Sequence, residues 1–284
     1  MNKFIIEGLE SLNFNLDKME GGFYTQSCFP IYQIFLPEEK KTIAAKVLDR
    51  EDMAISEVAN LKYLRKKKCS VPEVYGIFTK GDQSFIFMEF INDKKKTNVR
   101  VLLFESLLKL YSNKGAKWGF GKDNFIGPLP QRNSTHDKFE SFFWLDRIEP
   151  QLKLSLDKKI LGNDIAMMIE SLLYKKTKEW NLNSISPTLI HGDLWSGNLL
   201  FADNAYFIDP SIAYSHPEQD LAMLELFGGY FSSKETEDLL KKLGCSPDFN
   251  ERIPFWQIYP LLVHVNLFGG TYINQLHQAV EFYD

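Results

Sequence analysis

The segment from Leu189 to Asp209 restricts what this chain can fold into more than any other. Leu189-Ile190 ends an apolar run, and His191-Gly192-Asp193-Leu194-Trp195-Ser196-Gly197-Asn198 follows as a polar loop. Leu199-Leu200-Phe201 resumes the apolar pattern, Ala202-Asp203-Asn204-Ala205 turns it, and Tyr206-Phe207-Ile208 leads to a second acid, Asp209. Short apolar runs bounded by turn residues read as strands. A loop followed by a hairpin is therefore expected to bring Asp193, Asn198 and Asp209 together in space.

Two carboxylates and an amide in that order suit phosphoryl transfer. The reaction needs one carboxylate beside the attacking hydroxyl and hard oxygen ligands to hold magnesium over the β and γ phosphates of ATP. The wording differs from the protein-kinase signature: His191-Gly192-Asp193 and Asp209-Pro210 stand where His-Arg-Asp and Asp-Phe-Gly would, and no Ala-Pro-Glu segment follows. It resembles the aminoglycoside phosphotransferase and choline kinase branch of the kinase-like fold, whose members act on small molecules.

The first ninety residues read as strands with one helix. Tyr32–Leu36 and Thr42–Val47 form a predicted hairpin around Pro37-Glu38-Glu39-Lys40, and Val74–Thr79 with Ser84–Ile91 a second around Lys80-Gly81-Asp82. Between them, Ala54, Val58, Leu61 and Arg65 recur at helical spacing, with acids at the start and Lys66 to Lys68 at the end, which predicts a helix over 51–67. Lys46, on the second strand, matches the phosphate-contacting lysine of kinases, and Glu57 on the helix is placed to pair with it. Gly21-Gly22, ahead of the first expected strand, would let backbone amides approach phosphates. Backbone groups of Glu89, Phe90 and Ile91 are expected to meet the adenine edge, with Met88 closing the back of the pocket.

After Asn92 the pattern turns helical, over about 97–113, 137–154, 157–180, 217–231 and 253–281. The expectation is an α+β, bilobal, protein-kinase-like fold. A small antiparallel-sheet N-lobe with one helix (1–91) precedes a larger, mainly helical C-lobe (92–284) carrying the catalytic loop and substrate site.

Composition narrows the partners. A net charge of −4 argues against nucleic acid, whose phosphates need a basic footprint. No run of 18 apolar residues suggests a membrane span. Cys28, Cys69 and Cys245 make neither a disulfide framework nor a zinc pattern, and no signal peptide is legible at the N-terminus. A cytoplasmic monomer is expected.

Across nearly its whole length the chain resembles the fructosamine kinase (ketosamine kinase) family. The resemblance is carried by His191-Gly192-Asp193-Leu194-Trp195-Ser196-Gly197-Asn198, by Ile208-Asp209-Pro210-Ser211-Ile212-Ala213-Tyr214-Ser215-His216-Pro217-Glu218-Gln219-Asp220, and by Leu226-Phe227-Gly228-Gly229. Trp118-Gly119-Phe120, Asp123-Asn124-Phe125-Ile126-Gly127 and Tyr259 to Gly270 agree with it. It implies an ATP-dependent kinase that phosphorylates a sugar hydroxyl of ketosamines: fructosamine, ribulosamine or erythrulosamine adducts of amines or protein lysines. By position it implies Asp193 as catalytic base and Asn198 and Asp209 as magnesium ligands. Lys46 and Glu57 become the phosphate-side ion pair, and Asp220 an anchor for the catalytic-loop backbone. Trp195, between base and metal ligand, could stack on the sugar; Trp118 and Arg147 are further candidates for lining the substrate side. His191, His216 and His264 read as structural. Two departures stand out: the glycine-rich segment is unusually aromatic (Phe23, Tyr24), and Phe139 replaces a Trp. An aminoglycoside or other amino-alcohol kinase, or a non-catalytic nucleotide-binding pseudokinase, is the alternative.

Overall fold

The apolar runs of the N-terminal third pair with one another in sequence order. The computed structural model describes residues 2–26, 29–93 and 98–283; Cys28, noted above, and the run Lys94-Lys95-Lys96 lie outside them. In chain order the elements are α1 (Lys3–Ser11), β1 (Glu20–Gln26), β2 (Pro30–Leu36), β3 (Lys41–Leu48), α2 (Glu51–Lys66), β4 (Val74–Lys80), β5 (Gln83–Glu89) and α3 (Val99–Tyr111). Then follow β6 (Asn124–Ile126), β7 (Leu129–Gln131), α4 (Phe139–Phe143), a π-helical turn (Trp144–Ile148), α5 (Glu149–Asp157), α6 (Asn163–Glu179) and β8 (Thr188–Ile190). The chain continues through β9 (Leu199–Phe201), β10 (Ala205–Phe207), β11 (Ala213–Ser215), α7 (Pro217–Leu226), α8 (Ser233–Lys242), α9 (Phe249–Phe268) and α10 (Thr271–Glu281). This is an α+β fold.

Two compact units result, one made of Met1–Ser106 with Leu199–Pro210, the other of Leu107–Asn198 with Ser211–Asp284. The first is built on an antiparallel sheet of order β1-β2-β3-β5-β4. Side chains alternate along β3. Ile43, Ala45 and Val47 enter a core with Ile34, Leu36, Phe85 and Phe87, and Lys46 points to the opposite face. Ile5 and Leu9 of α1 cover that core. This helix was not anticipated: it is short, starting where the Asn2 side chain accepts the N–H of Phe4 at 3.0 Å, and its apolar stripe has only two turns in which to show. In α2 the buried stripe runs Ala54, Val58, Leu61 and Leu64, while Arg65 is exposed. The hairpin β9–β10, distant in sequence, belongs to this unit. Phe201 N–H donates to Asp93 at 2.8 Å, the Ser106 hydroxyl to Ala205 O at 3.1 Å, and Phe207 N–H to Ser70 O at 2.9 Å.

The second unit is helical apart from the pairs β8–β11 and β6–β7. The helix expected over 253–281 is broken at Gly269 and Gly270, both at positive φ, and α8, opened by a capping box at Ser232 and Glu235, was missed. Trp256, Phe139, Phe143 and Phe255 form its aromatic core. At its centre Glu218, wholly buried, accepts two bonds from Arg252 at 2.8 and 2.7 Å and a third from Trp256 Nε1 at 2.7 Å. Removing one partner of a buried pair strands the other's charge. Arg252→Met is expected to destabilise the protein by ~3–5 kcal/mol in urea titration, far more than loss of an exposed pair such as Lys153–Asp157.

Candidate active site

Burial of Lys46 is the first condition of the site in the sheet unit. Its side chain is 3% exposed and its ammonium sits 2.8 Å from Glu57 Oε2 and 2.6 Å from Asp209 Oδ1. Burial alone would drain its charge; the carboxylates of Asp209 and Glu57 more than offset this and hold its pKa above the usual lysine value. For Glu57, burial pushes the carboxyl up while Lys46 opposes, and its Oε1 is buried without a partner. Asp209 sits at φ 53°, a left-handed conformation that Asp tolerates better than most side chains. The next carbonyl, of Pro210, accepts from Asn60 Nδ2 at 2.8 Å. Asn60 lies one turn after Glu57, so α2 aligns both the lysine and the backbone beyond Asp209. The sequence reading missed Asn60, whose burial only the packed structure reveals.

Gly21 and Gly22 correct the expectation. They lie inside β1, paired with Ile34 and Gln33, not in a loop ahead of the first strand, because the β-prone Phe23-Tyr24-Thr25 extends the strand through them. β1 ends at Gln26 and β2 begins at Pro30; residues 27 and 28 between them lie outside the described residues. At the end of β5, Met88 and Ile91 are buried. The N–H groups of Glu89 and Phe90 already donate to Glu73 O (2.7 Å) and Thr42 O (3.1 Å), so the expected set of backbone donors reduces to that of Ile91.

In the helical unit, the loop after β8 is held by Asp220. His191 N–H and Gly192 N–H donate to its two oxygens at 2.7 and 2.8 Å, and Tyr111 donates from 3.3 Å. Burial pushes this carboxyl up to about 7, against the three bonds it accepts. Asp193 follows directly. Asn198 Nδ2 closes the loop onto Asp193 O (2.9 Å) and Asp193 Oδ2 (3.1 Å), leaving the amide oxygen Oδ1 as a hard ligand atom. Trp195 lies half-buried over Gly197, where a Cβ would come within 2.2 Å of its ring; the Trp-Ser-Gly wording is thus a steric requirement. Its other neighbour is Phe227 at 6.3 Å, which packs on His264 at 4.7 Å. His264 in turn meets Tyr272 at 4.8 Å. Sequence reading missed Phe227 and His264 as companions of Trp195.

Two substrate candidates are core residues. Trp118 is 3% exposed, edge-on to Phe139 at 5.1 Å. The Arg147 guanidinium, 1% exposed, lies over the Phe142 ring and donates to Arg132 O and Asn133 Oδ1. His191 and His216 are buried; burial holds His216 down to about 4, in keeping with a structural role. No helix among the described residues is long and apolar enough to cross a membrane.

These parts are those of a small-molecule kinase, and comparison with known proteins agrees. Residues 28–283 match the fructosamine kinase family. Named probable ketoamine kinases include one from Enterococcus faecium, 33% identical over 80% of this chain and 81% of that protein. Another, from Vibrio parahaemolyticus, is 31% identical over 93% and 90%. Among solved structures, one from Thermobifida fusca described as a fructosamine-3-kinase superposes with a TM-score of 0.81 at 27% identity, covering 93% of this chain and 92% of that one. An ADP-bound aminoglycoside phosphotransferase shares the fold alone, with a TM-score of 0.64 at 14% identity over 99% and 97%. The chain belongs to the fructosamine kinase family and is a phosphotransferase.

Asp220→Ala leaves two buried loop N–H groups unpaired, at ~1–3 kcal/mol each. It is expected to lower the urea midpoint and to lower phosphoryl transfer per folded molecule by ~10²-fold.

Proposed function

We propose that this kinase uses ATP and magnesium in the cytoplasm to phosphorylate a sugar hydroxyl of ketosamines, a first step in freeing the glycated amine. The observation that carries the reading is a carboxylate, Asp193, on a loop fixed at its backbone, with an amide across it and an aromatic wall beside it. Family membership supports the substrate class. The wall of Trp195, Phe227 and His264 supports a sugar ring with an apolar face.

Each residue has one task in this reading. Lys46, fixed by Glu57, binds nucleotide phosphate oxygens. Asp193 orients the sugar hydroxyl and accepts its proton at a carboxylate oxygen as that oxygen attacks. Trp195 excludes water from the transferring group. The donor set fits magnesium: with Oδ1 of Asp209 on Lys46, its second oxygen is a hard ligand, as is Oδ1 of Asn198. The metal, when bound, neutralises phosphate charge. Met88 and the Ile91 N–H take the adenine.

The test is ADP release from ATP with ribulose-, erythrulose- and fructose-derived lysine adducts, with an aminoglycoside as control. At least one adduct is expected to turn over well above the control; turnover of the aminoglycoside alone would replace the substrate class, and ATP binding without any turnover would point to a pseudokinase. Asp193→Ala is expected to bind ATP normally and to lose ~10²–10⁴-fold in kcat, whereas Lys46→Met should raise the KM for ATP.

A further inference from the structure

The loop that presents Asp193 has two sides, and Asp220 accounts for only one. Asp220 takes the N–H groups of His191 and Gly192. The carbonyl of His191 faces the other way and accepts from Ser211 N–H at 2.9 Å. Ser211 O packs against Gly192, which holds φ 82° and where any Cβ would come within 2.0 Å of that oxygen. The position of Ser211 therefore sets the loop from the side opposite Asp220.

Ser211 is itself held by a buried polar chain. Its hydroxyl donates to Phe125 O. Its carbonyl accepts from Gln131 Nε2 at 3.2 Å, and the same amide nitrogen donates to Asn124 Oδ1 at 2.8 Å. Asn124 Nδ2 donates in turn to Ile212 O at 2.9 Å. On the far side of Gln131, Tyr259 O–H donates to Oε1 at 2.5 Å. Gln131, Asn124 and Tyr259 are each no more than 3% exposed, and Gln131 uses both ends of its amide. Ser211 O and Asn124 Oδ1, acceptors both, together with the Tyr259 hydroxyl fix which way that amide faces: turned over, it would present an oxygen to the Ser211 carbonyl and the clamp would be lost. Asn124 and Gln131 sit opposite one another in the β6–β7 ladder, a hairpin too short to form a core of its own.

We propose that Gln131, oriented by Tyr259 and seated on the β6–β7 hairpin, is a positioning residue for the catalytic loop: through Ser211 it sets where Asp193 meets the acceptor hydroxyl. The inference rests on the kinase reading above. It assigns work to Tyr259, Gln131 and Ser211, all three buried. A small displacement of a reacting group is enough to cost up to ~10²-fold in rate, so the effect is expected in kcat.

The experiment compares Gln131→Met and Tyr259→Phe, near-isosteric changes that delete only the hydrogen bonds, with their double variant, all as the full chain. ATP affinity is read by titration, the folded fraction by urea melting, and kcat and KM on whichever ketosamine the unaltered enzyme turns over. Gln131→Met is expected to lose ~10-fold in kcat with KM for ATP unchanged. Tyr259→Phe should lose less, and the double variant no more than Gln131→Met alone, because both act along one chain. Losses that multiply, or a kcat per folded molecule equal to that of the unaltered enzyme, would overturn the proposal and leave the cluster a stabilising network. If Gln131→Met does not fold, Tyr259→Phe carries the same kcat test. An unaltered protein inactive on every ketosamine would sink the substrate reading instead, a separate outcome.

Discussion

A buried ammonium has to be answered by anions, and the sheet unit is arranged around that need. Lys46 lies on the strand face opposite the apolar core, so no packing residue could replace it there without losing the charge. Two carboxylates answer it from quite different parts of the chain: Glu57 from α2, eleven residues on, and Asp209 from beyond β10, 163 residues on. Coulomb attraction in a water-poor setting rewards such contacts, yet desolvation of all three groups costs nearly as much. The cluster is therefore poor evidence of stability and good evidence of function. It also requires the hairpin β9–β10 to fold with the sheet, which explains the backbone bonds that tie residues 199–210 to Ser70, Asp93 and Ser106.

The helical unit solves a different problem. A loop that must hold a carboxylate steady cannot rely on its own hydrogen bonds, since its residues are too few to satisfy them internally. Its N–H groups go to Asp220 and its carbonyl to Ser211; Tyr111 braces Asp220 directly, and Tyr259 braces Ser211 through Gln131. Gly192 is required because the second brace approaches closer than a Cβ allows. Gly197 is required because Trp195 occupies the space above it. Gly192 thus follows from a backbone carbonyl and Gly197 from a side-chain ring.

Legibility in the sequence followed the range of the interaction. The Asp220 anchor was readable only through the family resemblance; the Lys46–Glu57 pair and the approach of Asn198 to Asp193 were readable because each residue sits in a short segment whose local pattern is a strand, a helix or a polar loop. The strand β3 and helix α2 came within a residue or two of their predicted ends for the same reason. What could not be read depends on contacts between distant segments. Trp118 and Arg147 look like binding residues in isolation and prove to be core because Phe139, Phe142 and Asn133 surround them. Gly21-Gly22 reads as a turn until β2 pairs with it. Asn60, Gln131 and Tyr259 carry no local signature, since a buried polar side chain and an exposed one are spelled alike.

That division bears on how specificity arises in such a fold. The groups proposed to handle phosphate are hydrogen-bonded or ion-paired and largely committed, which fits a reaction whose charged partners hardly vary between substrates. Around Trp195 the contacts are of another kind. Phe227 meets it edge-on, and His264 and Tyr272 continue the row ring to ring behind Phe227, interactions that are broad in geometry and weak individually. His264 keeps one ring nitrogen on Pro260 O at 2.8 Å, and burial lowers its affinity for a proton, so it joins the wall as a neutral ring. In the proposed reading, an acceptor is then distinguished by shape and by the placement of its hydroxyl relative to Asp193 rather than by a charged contact from this wall. On that reading, small changes among these rings redirect the acceptor while Lys46, Glu57 and Asp209 stay as they are.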